Sequence, residues 1–288
     1  MDIKVLKYFV KSARKNSISK AANELNLTQP TLSRQLKDLE FELGYKLFVR
    51  TNYNIVLTKE GEILYKRACD ILDLFDKTKK EFESLKAFNG GDVYIGCAET
   101  IGISKIAKIA KKLQKHNIKF HLFSGNYESV LEKLNNSLID FAVIIQDFNV
   151  DDFSFVDLKH SDDWGILAKK SSKLSKRDFI EAWDLFNIPL IISRQGFTQE
   201  LPDILRQNKD RLNVVATYDL LFNAAMFVKQ GLGYALCINN LIHDEQMCFI
   251  PLKPKVSSNL KLIYKNDKLS KPATIFLNEL KKSLKLSK

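Results

Sequence analysis

Ser17-Ile18-Ser19-Lys20-Ala21-Ala22, followed after a few residues by Thr28-Gln29-Pro30-Thr31-Leu32-Ser33-Arg34-Gln35-Leu36, decides the reading of this chain. Asn16 and Ser17 offer an N-cap, and Ile18, Ala21, Ala22 and Leu25 then form one face of a short helix whose small residues permit close approach by a neighbour. Asn26 and Leu27 make a turn. Thr28 caps a further helix, Pro30 is tolerated in its first turn because the amide donors there are spare, and Leu32, Leu36 and Leu39 give it an inward stripe. At about 100° per residue the opposite face carries Pro30, Thr31, Ser33, Arg34, Lys37 and Asp38. That set suits a helix in the major groove of DNA: arginine chelates guanine edges or phosphate, hydroxyls reach phosphate or bases, and apolar atoms touch thymine methyls. Any amphipathic surface helix also turns polar residues outward, so the flanking sequence has to decide.

Working outward, Ile3, Leu6, Phe9, Val10 and Ala13 recur at three- and four-residue intervals and predict a helix before the pair. Leu43, Leu47 and Phe48 complete a small core. Arg50-Thr51-Asn52-Tyr53-Asn54 reads as a tight turn into a strand at Ile55-Val56-Leu57, which makes a wing beside the second helix of the pair. Residues 1–68 hold thirteen Lys and Arg against seven Asp and Glu. The candidate DNA-binding residues are therefore Gln29, Pro30, Thr31, Ser33, Arg34 and Lys37 on the helix, with Arg50, Asn52, Tyr53 and Asn54 on the wing.

The two quoted segments, with Gly44-Tyr45-Lys46-Leu47-Phe48 and Leu57-Thr58-Lys59-Glu60-Gly61, resemble the LysR-type transcriptional regulators, and a weaker likeness runs over the whole chain. The resemblance implies an α+β multidomain protein: an N-terminal winged helix-turn-helix, a long linker helix, and a C-terminal two-lobed α/β domain like the type II periplasmic binding proteins. In this chain the expected partition is 1–58, 59–87 and 88–288, with lobe I at 88–161 and 267–288 and lobe II at 162–266. The family often has a basic residue where this chain has Tyr53, so a wing contact there rests on stacking or hydrogen bonding. The implied function is sequence-specific promoter binding modulated by a small-molecule effector.

After Thr58, the residues Leu64, Ala68, Ile71, Phe75, Thr78, Phe82 and Leu85 alternate spacings of four and three. The pattern fits a coiled-coil seam or a single helix buried on a core. Asp70, Asp73, Lys77 and Lys79 on the flanks favour the seam, and the resemblance likewise implies paired linker helices. These seven residues are the candidate dimerisation set. A homodimer, or a homotetramer built from dimers, also gives two recognition helices to read a palindrome.

Phe88-Asn89-Gly90-Gly91 breaks the helix, and strands at 93–97, 118–123 and 141–145 then alternate with helices at 103–115 and 127–134, as successive βα units do. Further strands are predicted at 164–167, 189–193, 213–216 and 234–237, with a helix at 220–230. The resemblance places the hinges between lobes near Lys159 to Asp163 and near Lys265 to Lys271. Open sheets of this kind bind ligands beyond the carboxyl ends of their strands. The candidate effector-binding residues are accordingly Ala98, Glu99, Thr100, Ser124, Gly125, Tyr127 and Gln146 from lobe I, and Ser193, Arg194, Tyr218 and Asp219 from lobe II. Backbone amides at a helix start near Thr100 suit a carboxylate or phosphate, whereas Glu99 either caps that helix or favours a polar or cationic effector. Arg194 either clamps an anion or pairs with Asp219 or Glu200.

Composition narrows the remaining classes. The 288 residues suffice for two or three domains, and a net charge of +11 favours an anionic partner such as nucleic acid. Four scattered cysteines and four histidines without zinc-ligand spacing give no expectation of disulfides or a structural metal, and no cofactor is expected. Neither a signal peptide nor a membrane span is legible, so the chain is expected in the cytoplasm. An enzyme is not expected: Gly-x-Ser-x-Gly, Gly-x-Gly-x-x-Gly and Walker-type motifs are missing, Gly231-Leu232-Gly233 reads as a turn, and Cys97 and His121 read as buried strand residues. Double-stranded promoter DNA, the effector, further copies of the chain and RNA polymerase are the expected partners.

Overall fold

The computed structural model describes residues 1–50, 54–86, 90–145, 153–194, 205, 207–266 and 269–285. Two units divide it, Met1–Lys86 and Ala87–Lys288.

In the first unit each helix starts where a side chain satisfies a free amide. Asp2 accepts from Lys4 N at the head of α1 (Ile3–Lys15), Ser17 from Lys20 N at α2 (Ile18–Glu24), and Thr28 from Thr31 N at α3 (Gln29–Leu43). α1 ends at Asn16 and α3 at Gly44, both left-handed, and Asn26 between α2 and α3 has a φ of 54°. Strands β1 (Phe48–Arg50) and β2 (Ile55–Leu57) pair antiparallel as the wing. Thr58 joins the wing to α4 (Lys59–Lys86): its hydroxyl donates to Lys46 O at 2.7 Å and accepts from Gly61 N at 2.9 Å. A Cβ on Gly61 would lie 2.2 Å from Leu47 O, so the first turn of α4 sits directly on the wing backbone.

The core of this unit gathers Leu6, Phe9, Ala21, Leu32, Leu36, Leu39, Leu47 and Ala68. Ala68 is 0% exposed, and Leu64 packs half-buried against the same cluster. This corrects two members of the expected seam. Leu64 and Ala68 serve the unit's own core, because the first half of α4 lies along α1, where Arg14 Nε donates to the Tyr65 hydroxyl at 3.2 Å. Ile71, Phe75, Thr78 and Phe82 are exposed, while the side chain of Leu85 lies outside the described residues.

In the second unit, β3 (Gly91–Cys97) runs parallel to both β4 (Ile118–Ser124) and β5 (Phe141–Ile144), with α5 (Ile103–Leu113) and α6 (Tyr127–Asn135) as crossovers. β6 (Phe153–Lys169) is far longer than the predicted segment at 164–167. Beyond it come β7 (Ile180–Glu181), β8 (Leu190–Ser193), β9 (Val214–Tyr218), α7 (Leu221–Gln230), β10 (Tyr234–Ile238), β11 (Met247–Lys253), β12 (Ser257–Lys265) and α8 (Lys271–Lys285). β8, β9 and β10 are parallel, and β10 and β11 flank the second half of β6 antiparallel.

Two cores define the lobes. One gathers Val93, Ile95, Phe141, Leu158, Leu260, Leu262 and Phe276; another gathers Trp164, Ile166, Leu190, Ile192, Leu236 and Ile250. β6 crosses from the first to the second and β12 returns, pairing Ser161–Asp163 with Ser257–Asn259. The outward crossing passes through Lys159 to Asp163, with Lys159 at φ 52° and a register shift between Asn259 and Lys261 opposite it. The second expected hinge, at Lys265 to Lys271, and the end of lobe II at 266 are corrected. The return crossing is at Ser257–Asn259, since Val256 packs in lobe II and Leu260 in lobe I, and Lys261–Ile263 pair with β5.

Candidate nucleic-acid interface and interlobe cleft

With Leu32, Leu36 and Leu39 locked in the core, α3 has one orientation, and Gln29, Pro30, Thr31, Arg34, Lys37 and Asp38 are exposed, with Ser33 half-buried. Thr31 Oγ1 lies 2.7 Å from Thr28 Oγ1, so the cap residue orients one candidate contact. Sequence reasoning missed Phe41, which is 89% exposed and seven residues beyond Arg34, hence on the same face. Its spacing alone carries that signal.

The wing is fixed at both ends. Ile55 N donates to Asn16 O at 3.0 Å, and the buried carboxylate of Glu40 accepts from Leu47 N at 2.9 Å, Phe48 N at 3.3 Å and Lys46 Nζ at 3.0 Å. Burial alone would raise the Glu40 carboxyl, but these hydrogen bonds outweigh it and hold the group below the ordinary glutamate value. Asn54 is exposed at the wing. Asn52 and Tyr53 lie outside the described residues, as does the side chain of Arg50.

In the second unit the carboxyl ends of the parallel strands converge on a cleft of about 540 Å³, open mouth included. Ala98 and Glu99 after β3, Gly125 after β4, Ser193 at the end of β8, and Tyr218 and Asp219 at the end of β9 line it, as the strand-end argument predicts. Asn126, Ile145, Trp164, Leu220, Leu221, Cys237, Ile238 and Leu241 complete it and were not anticipated. Trp164 comes from the crossing strand β6 and Ile238 from the end of β10 beside it, and the local pattern could not bring them to this place.

Four nominated residues do not line the cleft. Thr100 is buried: its hydroxyl donates to Asp162 Oδ2 at 2.6 Å and accepts from Gly102 N at 3.0 Å, supporting the hinge, and α5 begins only at Ile103. His160 Nε2 meets the other Asp162 oxygen at 3.0 Å. Ser124 hydrogen-bonds with Cys97, and Tyr127 packs against the lobe I cluster around Val130, where burial pushes its hydroxyl up to about 12. Arg194 is 70% exposed, with Nε 3.8 Å from Asp219 Oδ1, so of its two predicted roles the structure has the ion pair. Gln146 and Glu200 lie outside the described residues.

Glu99 is a cap, but not of the helix beside it in sequence. Its Oε2 accepts Leu221 N at 2.6 Å, at the head of α7 in the other lobe, where Leu220 supplies no side-chain cap. The four cysteines are free, and burial raises the Cys97 thiol and pushes Cys237 up to about 12, which suppresses their reactivity. His121, expected to be buried, is exposed, stacks on Tyr94 and bonds to Asp92 at 2.8 Å. Among the described residues, no cluster of His, Cys, Asp and Glu is arranged to hold a metal ion, and no helix is long and apolar enough to cross a membrane.

Comparison with known proteins bears on both regions. The family model described as "Bacterial regulatory helix-turn-helix protein, lysR family" matches residues 3–62, and the one described as "LysR substrate binding domain" matches residues 87–285. The regulator YvbU of Bacillus subtilis (strain 168) is 25% identical, covering 99% of each chain, and the regulator BsdA of the same organism is 32% identical over 67% of each. Full-length CbnR, solved in complex with its target DNA, has the same fold at a TM-score of 0.75, with 17% identity over 98% of this chain and 100% of that one.

Proposed function

The chain belongs to the LysR family of DNA-binding transcriptional regulators with an effector-binding domain, and from that premise we propose how its own residues divide the work. α3 enters the major groove, with Arg34 on a guanine edge or phosphate and Gln29, Pro30, Thr31, Ser33 and Lys37 beside it. Arg50, Asn52, Tyr53 and Asn54 follow the adjacent backbone from the wing. The observation that carries this reading is the outward face of α3, which offers Arg34 and Lys37 on a helix fixed by its buried leucines. CbnR, which shares the fold, was solved in complex with its target DNA, and this supports DNA as the partner.

The protein works in the cytoplasm as a homodimer, or as a homotetramer built from dimers, joined through Ile71, Phe75, Thr78 and Phe82 of paired α4 helices. It binds upstream of a target gene, where RNA polymerase is the further partner, and it catalyses no reaction. A small-molecule effector binds between the lobes and favours one state of the β6 and β12 crossings over another. Only a ligand with different affinities for the two states regulates.

Fluorescence anisotropy on the chain's own upstream DNA and on a scrambled duplex, each across a salt series, tests this. Tight binding kept only by the native duplex is the expected result; no preference at any salt concentration would remove the proposal of a sequence-specific reader.

A further inference from the structure

What the interlobe cleft binds can be narrowed by the groups it offers, an argument that rests on reading the cleft as the effector site. An anion would be held best by a cationic side chain or by amides aimed into the cleft, and four of the cleft's donors are engaged within the chain. Leu221 N donates to Glu99, Gly125 N to Cys97 O at 3.2 Å, Trp164 Nε1 to Ser258 Oγ at 2.9 Å, and the Tyr218 hydroxyl to Leu236 O at 2.9 Å. The start of α7, where a carboxylate would otherwise bridge the lobes, is filled by the chain's own carboxylate from lobe I.

The charged groups of the cleft are carboxylates, each with an oxygen beyond the one bond or ion pair that it makes. Glu99 and Asp219 line the cleft, and among the described residues no Lys, Arg or His does. Glu99 has no second hydrogen-bond partner among the described residues, and the guanidinium that faces Asp219 belongs to the exposed Arg194 at the rim. Ile145, Trp164, Leu220 and Leu241 provide apolar wall beside these carboxylates. We propose that the effector is a small organic cation, an amine on an apolar body, whose ammonium group bonds Glu99 and Asp219 while its body lies against Trp164 and the aliphatic wall. Charge-assisted hydrogen bonds and the faces of Trp164 and Tyr218 both favour a cation over a neutral isostere.

Thermal unfolding of the full-length protein with phenethylamine, 2-phenylethanol and 3-phenylpropionate, which share ring and chain and differ in charge, tests the assignment. The amine raises the melting temperature with concentration and the carboxylate leaves it unchanged. Glu99→Gln weakens the amine about tenfold, the loss of one charged hydrogen bond. Asp219→Asn leaves the cap of α7 intact and also weakens the amine, which keeps the test sound should Glu99→Gln perturb folding. Stabilisation by the carboxylate or the alcohol in preference to the amine overturns the charge class and leaves the cleft as the effector site. An amine effect of equal size in wild type and both variants overturns the assignment to these carboxylates. No shift with any of the three overturns the assignment of an amine on an apolar body and leaves the effector reading of the cleft standing.

Discussion

Glu40 Oε1 accepts the backbone N–H of Leu47 at 2.9 Å, across the Gly44 turn that ends the recognition helix. One buried carboxylate thereby holds the end of α3 to the start of the wing, and its removal leaves two amides without that acceptor. Glu40→Ala is expected to destabilise the N-terminal unit by about 2–3 kcal/mol. Hydrogen exchange checks this at the Leu47 and Phe48 amides, whose protection should fall before that of lobe I strands; unchanged protection would mean that the wing is held by other contacts.

The same group gives the unit an acid-sensitive term. Its folded carboxyl titrates below the unfolded value of about 4.3, because hydrogen bonds from Leu47, Lys46 and Phe48 outweigh the burial that alone would raise it. A depressed value contributes stability that is fully present above the unfolded value and is lost as pH falls through the folded one. Melting temperature measured between pH 7 and pH 3 should therefore drop less steeply in Glu40→Gln than in the wild type, and parallel curves would refute the linkage.

Arg34 is exposed at the centre of the outward face of α3. Arg34→Ala should cost about 1–3 kcal/mol of specific binding if the side chain reads a base; a phosphate role would instead weaken all duplexes alike and reduce the salt slope by about one. Anisotropy on native and scrambled DNA separates the two. Equal affinity of variant and wild type on both duplexes would remove Arg34 from the interface.

Ala68 and Phe82 lie on one helix yet should respond to substitution in opposite ways. Ala68→Leu forces extra volume into a closed core and should cost about 1–3 kcal/mol of stability, whereas Phe82, exposed here, tolerates Phe82→Asp in the monomer. Sedimentation should then show Phe82→Asp as a folded monomer with intact helical circular dichroism. A dimer of unchanged affinity would place the interface elsewhere.

Why some of this was legible in sequence and some was not follows from range. The caps Ser17 and Thr28, the leucine stripe and the strand ends are local signals, and so the helix pair and six of the fourteen residues lining the cleft could be read directly. Three- and four-residue spacing, however, is the same for a coiled-coil seam and for a helix lying on its own core; only α1 packed along α4 separates Ala68 from Ile71. The return hinge escaped because β12 is set by partners roughly a hundred residues away in β6, with no loop to mark the change of lobe. Thr100 and Arg194 were misplaced for a related reason, since a loop after a strand mixes residues that face the cleft with residues that brace it.

The burial of Ala68 also makes α4 a handle rather than a tether. Its first turns are part of the DNA-reading body, seated on the carbonyl of Leu47 by Gly61 and closed over by α1. They do not bend without opening that body, and Lys7 of α1 still reaches Phe75 and Asp76 a turn further on. Whatever turns these first turns of α4 turns α3 with them, as one solid piece.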